Sequence, residues 1–375
     1  MAIVRVENVR MAGLASSVPD FVRTVDDDVE RFQSEDFRKI GESIGVTSRR
    51  IAPEGVCSSD LCVAAAEKLL DELKWDRDSI QAVLFVTQTP DYPAPATACT
   101  LQSRLGLSTN CAAMDINLGC SGYVYGLATA AQFVRGMAGG KENGGRVLLL
   151  VGDTITHFVS PDDRATAPLF GDAGSATALE FSASAEPIVF SLGTDGRGLN
   201  HLIVPAGGAR QPRTEETGVR TSRESGNIRS DEDMYMNGAE VFSFALQEVP
   251  KMVRSTLAEA GWTIDEVDGV VMHQSNGIML KHLRKRLKVD EENFVIALEG
   301  YGNASCASIP LAMTHQWSKA NSSEKRKLVL AGFGLGWSWG GAAVTCENMV
   351  MPELVIYETP QCQNADDEIV SKEAA

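Results

Sequence analysis

The 375-residue sequence contains no apolar run long enough to cross a bilayer. Its N-terminal MAIVRVENVRMAGLASSVPDF shows neither an apolar core nor a stop-transfer segment. Secretion and membrane insertion are therefore not expected. Positive charge is scarce: 34 lysines and arginines against 50 aspartates and glutamates give a formal net charge of −16. That balance argues against a general nucleic-acid binder and against a binder of anionic membranes. Metal-ligand spacing is missing as well. The eight cysteines are scattered, and no histidine stands near the closest pair, Cys57 and Cys62, to complete a zinc set. Without a secretory signal they read as thiols in a cytoplasmic protein.

What is present is a large apolar fraction, 44% against 22% charged, enough for one large domain or two of ordinary size. Strand-like runs fall at 82–87 (AVLFVT), 112–116 (AAMDI), 146–152 (RVLLLVG), 269–273 (GVVMH) and 327–333 (KLVLAGF). Several are apolar on both faces, as central strands covered by helices are. Helical patterns lie between them. Residues 120–134 set Tyr123, Leu127, Ala131 and Val134 on one stripe, and 239–260 form a longer example. The alternation predicts α/β layers.

The two halves of the chain resemble each other. Trp75-Asp-Arg-Asp-Ser-Ile-Gln-Ala-Val-Leu aligns without a gap on Trp262-Thr-Ile-Asp-Glu-Val-Asp-Gly-Val-Val, and 146–152 aligns on 327–333. Between these, Asp115-Ile-Asn-Leu-Gly-Cys-Ser matches Ile296-Ala-Leu-Glu-Gly-Tyr-Gly-Asn-Ala with one residue of slack. Matches in the same order predict a duplicated α/β unit: one half over 1–184, a second over 185–350, and an acidic extension over 351–375. The extension, with Asp366, Asp367 and Glu368, reads as loosely held, and polar residues 206–233 read as a long loop or flap.

Duplication sets Cys120 against the Asn303 region and places His273 after a strand equivalent to 82–87. All three then stand beyond the carboxyl ends of strands, where chemistry gathers in open α/β folds. Cys120 lies in Asn117-Leu-Gly-Cys-Ser-Gly-Tyr, at a strand-to-helix junction where unpaired amides favour thiolate. Cys57, Cys62, Cys99, Cys111, Cys346 and Cys362 read instead as small buried hydrophobes, and Cys306 as packing. His273 ends an apolar strand and is followed by Gln274 and Asn276; His157, His201, His282 and His315 lack such a setting. Asn303 sits in a glycine turn, which by itself signals only turn chemistry. The glycine-rich 332–341 follows a strand but precedes another strand and not a helix, so it suits backbone donation to an oxyanion better than dinucleotide binding.

Together these segments resemble the β-ketoacyl-acyl-carrier-protein synthase III family of thiolase-like condensing enzymes. The resemblance runs from the N-terminus to about Val350. It rests on Gly45-Val-Thr-Ser-Arg-Arg-Ile, Asp115-Ile-Asn-Leu-Gly-Cys-Ser-Gly, Asp162-Asp-Arg-Ala-Thr, Phe170-Gly-Asp-Ala-Gly-Ser-Ala, Asn237-Gly-Ala-Glu-Val-Phe, His273-Gln-Ser-Asn, Gly302-Asn-Ala-Ser and the GFGLGWSWG turn. It implies a homodimer with a five-layered α/β/α/β/α fold, no cofactor and no metal. Cys120 would be loaded by acyl-CoA. Decarboxylative condensation with a malonyl thioester, on carrier protein or coenzyme A, would then give a 3-oxoacyl product for fatty-acid or specialised-metabolite biosynthesis.

In that reading His273 and Asn303 hold the malonyl carbonyl, and Phe333 sits beside the departing carboxylate. Backbone amides of Cys120 and of the Leu335–Gly336 turn hold the oxyanion. Arg164, Met236, Gly238, Phe242, Ser275, Asn276 and Met279 match positions lining the CoA tunnel. The sequence departs from the family's pattern in three places. The tryptophan that stacks on adenine has no clear counterpart, Phe37 or Lys39 falling nearby. Ile278 replaces a carrier-docking arginine, for which Lys281, Arg284, Lys285 and Arg286 could compensate. Ala94 replaces a bulky residue at the acyl pocket entrance, which predicts a roomier pocket. Competing readings are a same-fold acyltransferase with a non-malonyl acceptor and, from another class, a cysteine hydrolase. A thiolase is disfavoured because 332–341 carries no second cysteine.

Overall fold

The computed structural model describes residues 1–138, 144–320 and 322–359. Its frame is a pair of six-stranded sheets. The first has the order Val355–Tyr357, Val9–Pro19, Ala173–Phe181, Arg146–Asp153, Ile80–Val86, Ala112–Ile116. The second runs Ala2–Val6, Ile188–Thr194, Ser338–Cys346, Arg326–Gly334, Gly269–Met272, Phe294–Val295. Setting aside the outermost strand of each, the pairings agree step for step: two antiparallel, then two parallel. The repeat read from sequence is a repeat of topology.

The outermost strands cross between halves. Ala2–Val6 pairs antiparallel with the second sheet, and Val355–Tyr357 pairs parallel with Ser17, Val18 and Pro19 of the first. A cut at 184 therefore does not separate the sheets at the chain ends. The start of the 351–375 segment is not loosely held, because Val355–Tyr357 satisfies its backbone on a sheet edge; Asp366, Asp367, Glu368 and Cys362 lie outside the described residues.

Five layers follow from which faces are apolar. Strands Ile80–Val86 and Arg146–Asp153 are buried almost throughout, as strands with helices on both sides must be. Helices Gly122–Ala138 and Ser308–Trp317 form the central layer, packed in one core with strands of both sheets. Helices Ser58–Leu73 and Thr97–Arg104 cover the outer face of the first sheet, and Gly238–Ala260 and Gly277–Leu287 that of the second. Squeezed between two sheets, the central helix Gly122–Ala138 buries Val124, Ala128 and Ala130 besides the predicted stripe. It needs Gly122 and Gly126, where a Cβ would come within 2.7 Å of Val86.

Residues 206–233 are mostly irregular but not free. They are laced by Arg213–Glu232, Arg220–Asp233, Arg223–Asp231 and Arg229–Asp163 ion pairs. Deeper in the molecule, Arg49 and Asp28 form a bidentate pair at 2.8 and 2.7 Å, their side chains only 1% and 4% exposed. Arg49 backs against Gly302, the residue before Asn303, where a Cβ would lie 3.0 Å away from Arg49 Cβ. Removing one member of such a pair strands the other charge in the interior. Asp28→Ala should therefore lower stability by about 3–5 kcal/mol, whereas a surface pair contributes about 1 kcal/mol or less. An unchanged urea midpoint for Asp28→Ala would contradict this.

Candidate active site

Three polar side chains stand just past the carboxyl ends of parallel strands, where an α/β sheet leaves an open crevice. Strand Ala112–Ile116 leads to Cys120, Gly269–Met272 to His273, and Phe294–Val295 leads, through left-handed glycines at 300 and 302, to Asn303. All three line one narrow cavity of about 70 Å³, with Ser305, Phe333, Gly334 and Leu335. Gly334 is required by close approach: a Cβ there would lie 2.6 Å from Cys120 Cβ and 2.9 Å from its sulfur.

The sequence suggested that a helix end holds Cys120 as thiolate. The structure reverses this. Burial pushes the thiol up to about 12, and the nearby Asp153 adds to the shift. The amides of Leu335 and of Cys120 itself, with the Ser305 hydroxyl, lie near enough to favour its anion, without prevailing. The helix begins only at Gly122, and a helix end contributes about 0.3–1 kcal/mol, less than burying a charge costs. Those same amides remain the donors available to an oxyanion. Of the Leu335–Gly336 turn, Leu335 lines the cavity and Gly336 does not.

His273 is buried and neutral. Burial pulls its pKa down to about 4. Its Nδ1 lies 2.8 Å from Ser308 Oγ, and that hydroxyl donates to the Ser305 carbonyl at 2.8 Å. Ser308 has one proton and has spent it, so Nδ1–H donates and Nε2 keeps a lone pair. Phe333 packs edge-on against the imidazole, centroids 5.6 Å apart. Asn303 is oriented by its own loop: the Ser305 N–H donates to Oδ1 at 3.0 Å and Nδ2 donates to the Ser275 carbonyl at 3.4 Å. The second Nδ2 hydrogen is left for a ligand.

Met236, Gly238, Ser275, Asn276 and Met279 line the same cavity, as the sequence suggested. Phe242 does not; its neighbour Val241 takes the place, and Phe242 packs edge-on against His282. Arg164 is also absent from the lining. Its guanidinium covers Phe37 and Phe32 at 4.9 and 5.4 Å, and the two rings stack on each other at 4.4 Å. Ala94 is exposed and off this cavity. Lys281, Lys285 and Arg286 are exposed on helix Gly277–Leu287, with Arg284 half-buried near Glu291. Cys99 is exposed and Cys57 and Cys111 half-buried, so these three are not core hydrophobes.

Sequence reasoning missed the apolar wall, formed by Ile155, Leu169, Phe170, Leu202, Met234 and Val241. Except for Val241, in helix Gly238–Ala260, these come from short or irregular segments whose facing no periodicity reveals. Ser305 and Ser308 were missed too, although both stand within five residues of Asn303 in Gly302-Asn-Ala-Ser-Cys-Ala-Ser.

Comparison with known proteins agrees with this architecture. Residues 114–196 match the family model of 3-oxoacyl-[acyl-carrier-protein] synthase III, and 257–346 match its C-terminal model. A β-ketoacyl-[acyl-carrier-protein] synthase III of Rhodopirellula baltica is 34% identical over 355 residues, spanning 90% of this chain and 98% of that one. A 3-oxoacyl-(acyl-carrier protein) synthase structure from Burkholderia xenovorans superposes with a TM-score of 0.87 at 41% identity, covering 96% of this chain and 99% of its own. The priming β-ketosynthase of a polyketide pathway gives a TM-score of 0.75 at 25% identity, covering 91% and 97%. Fold and relatives define a thiolase-like condensing enzyme. Within that class, the chain belongs to the 3-oxoacyl-[acyl-carrier-protein] synthase III family, whose members are transferases.

Two outcomes follow from the geometry. Gly334→Ala sets a methyl group against the Cys120 sulfur, and an ångström of displacement at a reacting atom can cost about 100-fold. Alkylation of Cys120 by iodoacetamide, followed by mass spectrometry, should slow correspondingly while the circular dichroism spectrum is retained. The buried His273 titrates below the value of about 6.5 it has when unfolded. As pH falls from about 6.5 towards 4 the unfolded chain takes up this proton first, so the native state loses about 3 kcal/mol across that window. His273→Gln should lack this part of the acid-induced loss in denaturation midpoints measured at several pH values.

Proposed function

We propose that this protein loads an acyl group from acyl-CoA onto Cys120 and condenses it with a malonyl thioester, releasing CO2 and a 3-oxoacyl product. The single observation that carries the reading is the meeting of a thiol, a neutral imidazole and an oriented carboxamide in one narrow, apolar-walled cavity. The Cys120 sulfur attacks the acyl thioester. Its own N–H and that of Leu335 hold the oxyanion, and one such donor can be worth about 3 kcal/mol. Coenzyme A then departs.

A malonyl thioester enters past Met236, Ser275, Asn276 and Met279, and its carbonyl accepts from Asn303 Nδ2. The buried edge of Phe333 gives the malonyl carboxylate an apolar neighbour, which favours its loss as uncharged CO2. The enolate attacks the acyl-Cys120 carbonyl, and collapse expels the sulfur. With Nδ1 protonated and Nε2 bare, His273 joins Asn303 as a donor to the enolate only after taking a proton. Asn303 is the standing donor.

We read the chain as a homodimer. Strand Ala112–Ile116 ends its sheet, half-buried and apolar, with Met114 exposed, a surface suited to pairing with a second copy. In such a pair Ala94 would border the partner's acyl pocket. The exposed Lys281, Lys285 and Arg286, beside exposed Ile278, suit an acidic carrier protein or the phosphates of coenzyme A. Among the described residues no helix is long and apolar enough to cross a membrane and no cluster could hold a metal. From membership of the family we place the reaction in the cytoplasm, without cofactor.

Intact mass after incubation with acetyl-, isobutyryl- and octanoyl-CoA tests the first half. Wild type should gain one acyl mass and Cys120→Ala none. Adding malonyl-carrier protein should discharge the adduct with release of CO2. Asn303→Ala and His273→Ala should spare loading more than condensation; equal loss of both steps would refute the assignment, and turnover without an adduct would indicate hydrolysis.

A further inference from the structure

Behind the Cys120 sulfur lies a carboxyl group that the condensation chemistry leaves unused. Asp153 ends strand Arg146–Asp153 and has no exposed surface. Among the described residues no cation pairs with it, so its charge is uncompensated, and an uncompensated carboxylate in the interior is costly. What surrounds it is a set of donors. One oxygen accepts from the Gln88 N–H at 2.7 Å and from the Thr87 and Thr89 hydroxyls at 3.0 and 3.4 Å. The other accepts from the Cys306 thiol at 3.1 Å. Four donors suit the ionised form. Burial raises its pKa against these donors, so the carboxylate they hold is one that readily takes up a proton. The titratable groups facing it are the thiols of Cys62, Cys120 and Cys306, each held back from ionising by its charge.

Between carboxyl and nucleophile stands Ser305. Its backbone is left-handed, with φ of +46°, a conformation few non-glycine residues adopt. It lines the reactive cavity with Cys120. Its hydroxyl is buried and makes no hydrogen bond of ordinary geometry, yet it lies close enough to Cys120 and Asp153 to favour the anion of each. A buried hydroxyl with no partner of its own, set near a thiol and a carboxyl, has its proton to give to either.

We propose that Asp153 holds the Cys120 proton for as long as Cys120 is acylated, receiving and returning it through the Ser305 hydroxyl. Asp153 acts through Ser305 and is a positioning residue for that proton. In acylation the thiol proton passes to Ser305 Oγ while the Ser305 proton passes to the Asp153 carboxylate. The sulfur forms its bond to the acyl carbon, the bond to the CoA sulfur breaks, and CoA leaves as thiolate. An alkyl thiol titrates well above neutrality, so this thiolate takes a proton from solution. In condensation the enolate attacks, Cys120 leaves as thiolate, and the stored proton returns through Ser305. One proton is consumed per cycle, as the overall reaction requires. While the acyl-enzyme waits, Asp153 is neutral, so no fixed negative charge opposes the malonyl carboxylate or the enolate.

This inference rests on the proposed loading of Cys120, and the two can fail separately. Wild-type enzyme is mixed with stoichiometric acyl-CoA, without a malonyl donor, in weakly buffered solution near pH 7 containing a pH indicator; intact mass is read in parallel. Storage predicts uptake of one proton per acyl group bound. Direct transfer of the thiol proton to departing CoA predicts none. Asp153→Asn, which cannot take a proton, and Ser305→Ala should both acylate without uptake, and about 100-fold more slowly, the size of a general-base contribution. Acylation of wild type without uptake overturns the proposal, and it needs no variant to fold. Uptake that persists in Asp153→Asn but vanishes in His273→Gln assigns the proton to the imidazole and overturns it too. Absence of any adduct on wild type overturns the loading reading, and this inference with it.

Discussion

Two backbone hydrogen bonds hold the site together. The Asn303 N–H donates to the Leu169 carbonyl at 2.9 Å, and the Gly171 N–H donates to the Asn303 carbonyl at 3.1 Å. They form an isolated parallel bridge between Phe170 and Asn303, outside either sheet. The cysteine comes from one half and the histidine and asparagine from the other, so catalysis depends on how loops of the two repeats are clamped. This bridge is where they are clamped. Gly171 and Gly302 permit it, since a Cβ at Gly171 would lie 2.0 Å from the Tyr301 carbonyl oxygen. The buried Arg49–Asp28 pair supports the same loop from behind.

Electrostatically the cavity is quieter than a thiolate enzyme would lead one to expect. The thiol, the imidazole and the buried carboxyl are all pushed towards their uncharged forms by the same cause, removal from water. No standing ion pair activates the sulfur. The sulfur is uncharged at rest, and charge on the reacting oxygens arises only during reaction, where fixed N–H groups are waiting for it; preorganised donors of this kind do not have to reorganise as the transition state forms. A thioester is reactive enough for a sulfur so held.

Much of this was legible in the sequence, and what was not has physical reasons. The strands at 82–87, 146–152 and 327–333 announce themselves because both faces are buried, and the internal repeat gave the order of elements and the three polar residues. Identity with relatives confirms the family. The helix dipole argument for Cys120 failed because sequence shows where a helix begins but not how much water reaches the residue before it. Arg164 stands over Phe32 and Phe37, rings whose stacking depends on two short helices meeting, which no local pattern announces. Phe242 and Val241 are adjacent, and only coordinates say which of two neighbours points inward. The short strand Val355–Tyr357 was hidden within a polar end because a strand on a sheet edge needs only backbone partners.

The exchange of outer strands bears on how the molecule can be made. The first strand of the described residues belongs to the sheet of the second repeat, and the last belongs to the sheet of the first. Neither repeat can finish its sheet on the ribosome while the other is missing, although each carries a compact βαβ centre of its own. Long-range pairings of this sort raise contact order and slow folding, with sheet edges left open in the interval. With its outer strands laced into opposite halves, neither half carries all six strands of its own sheet.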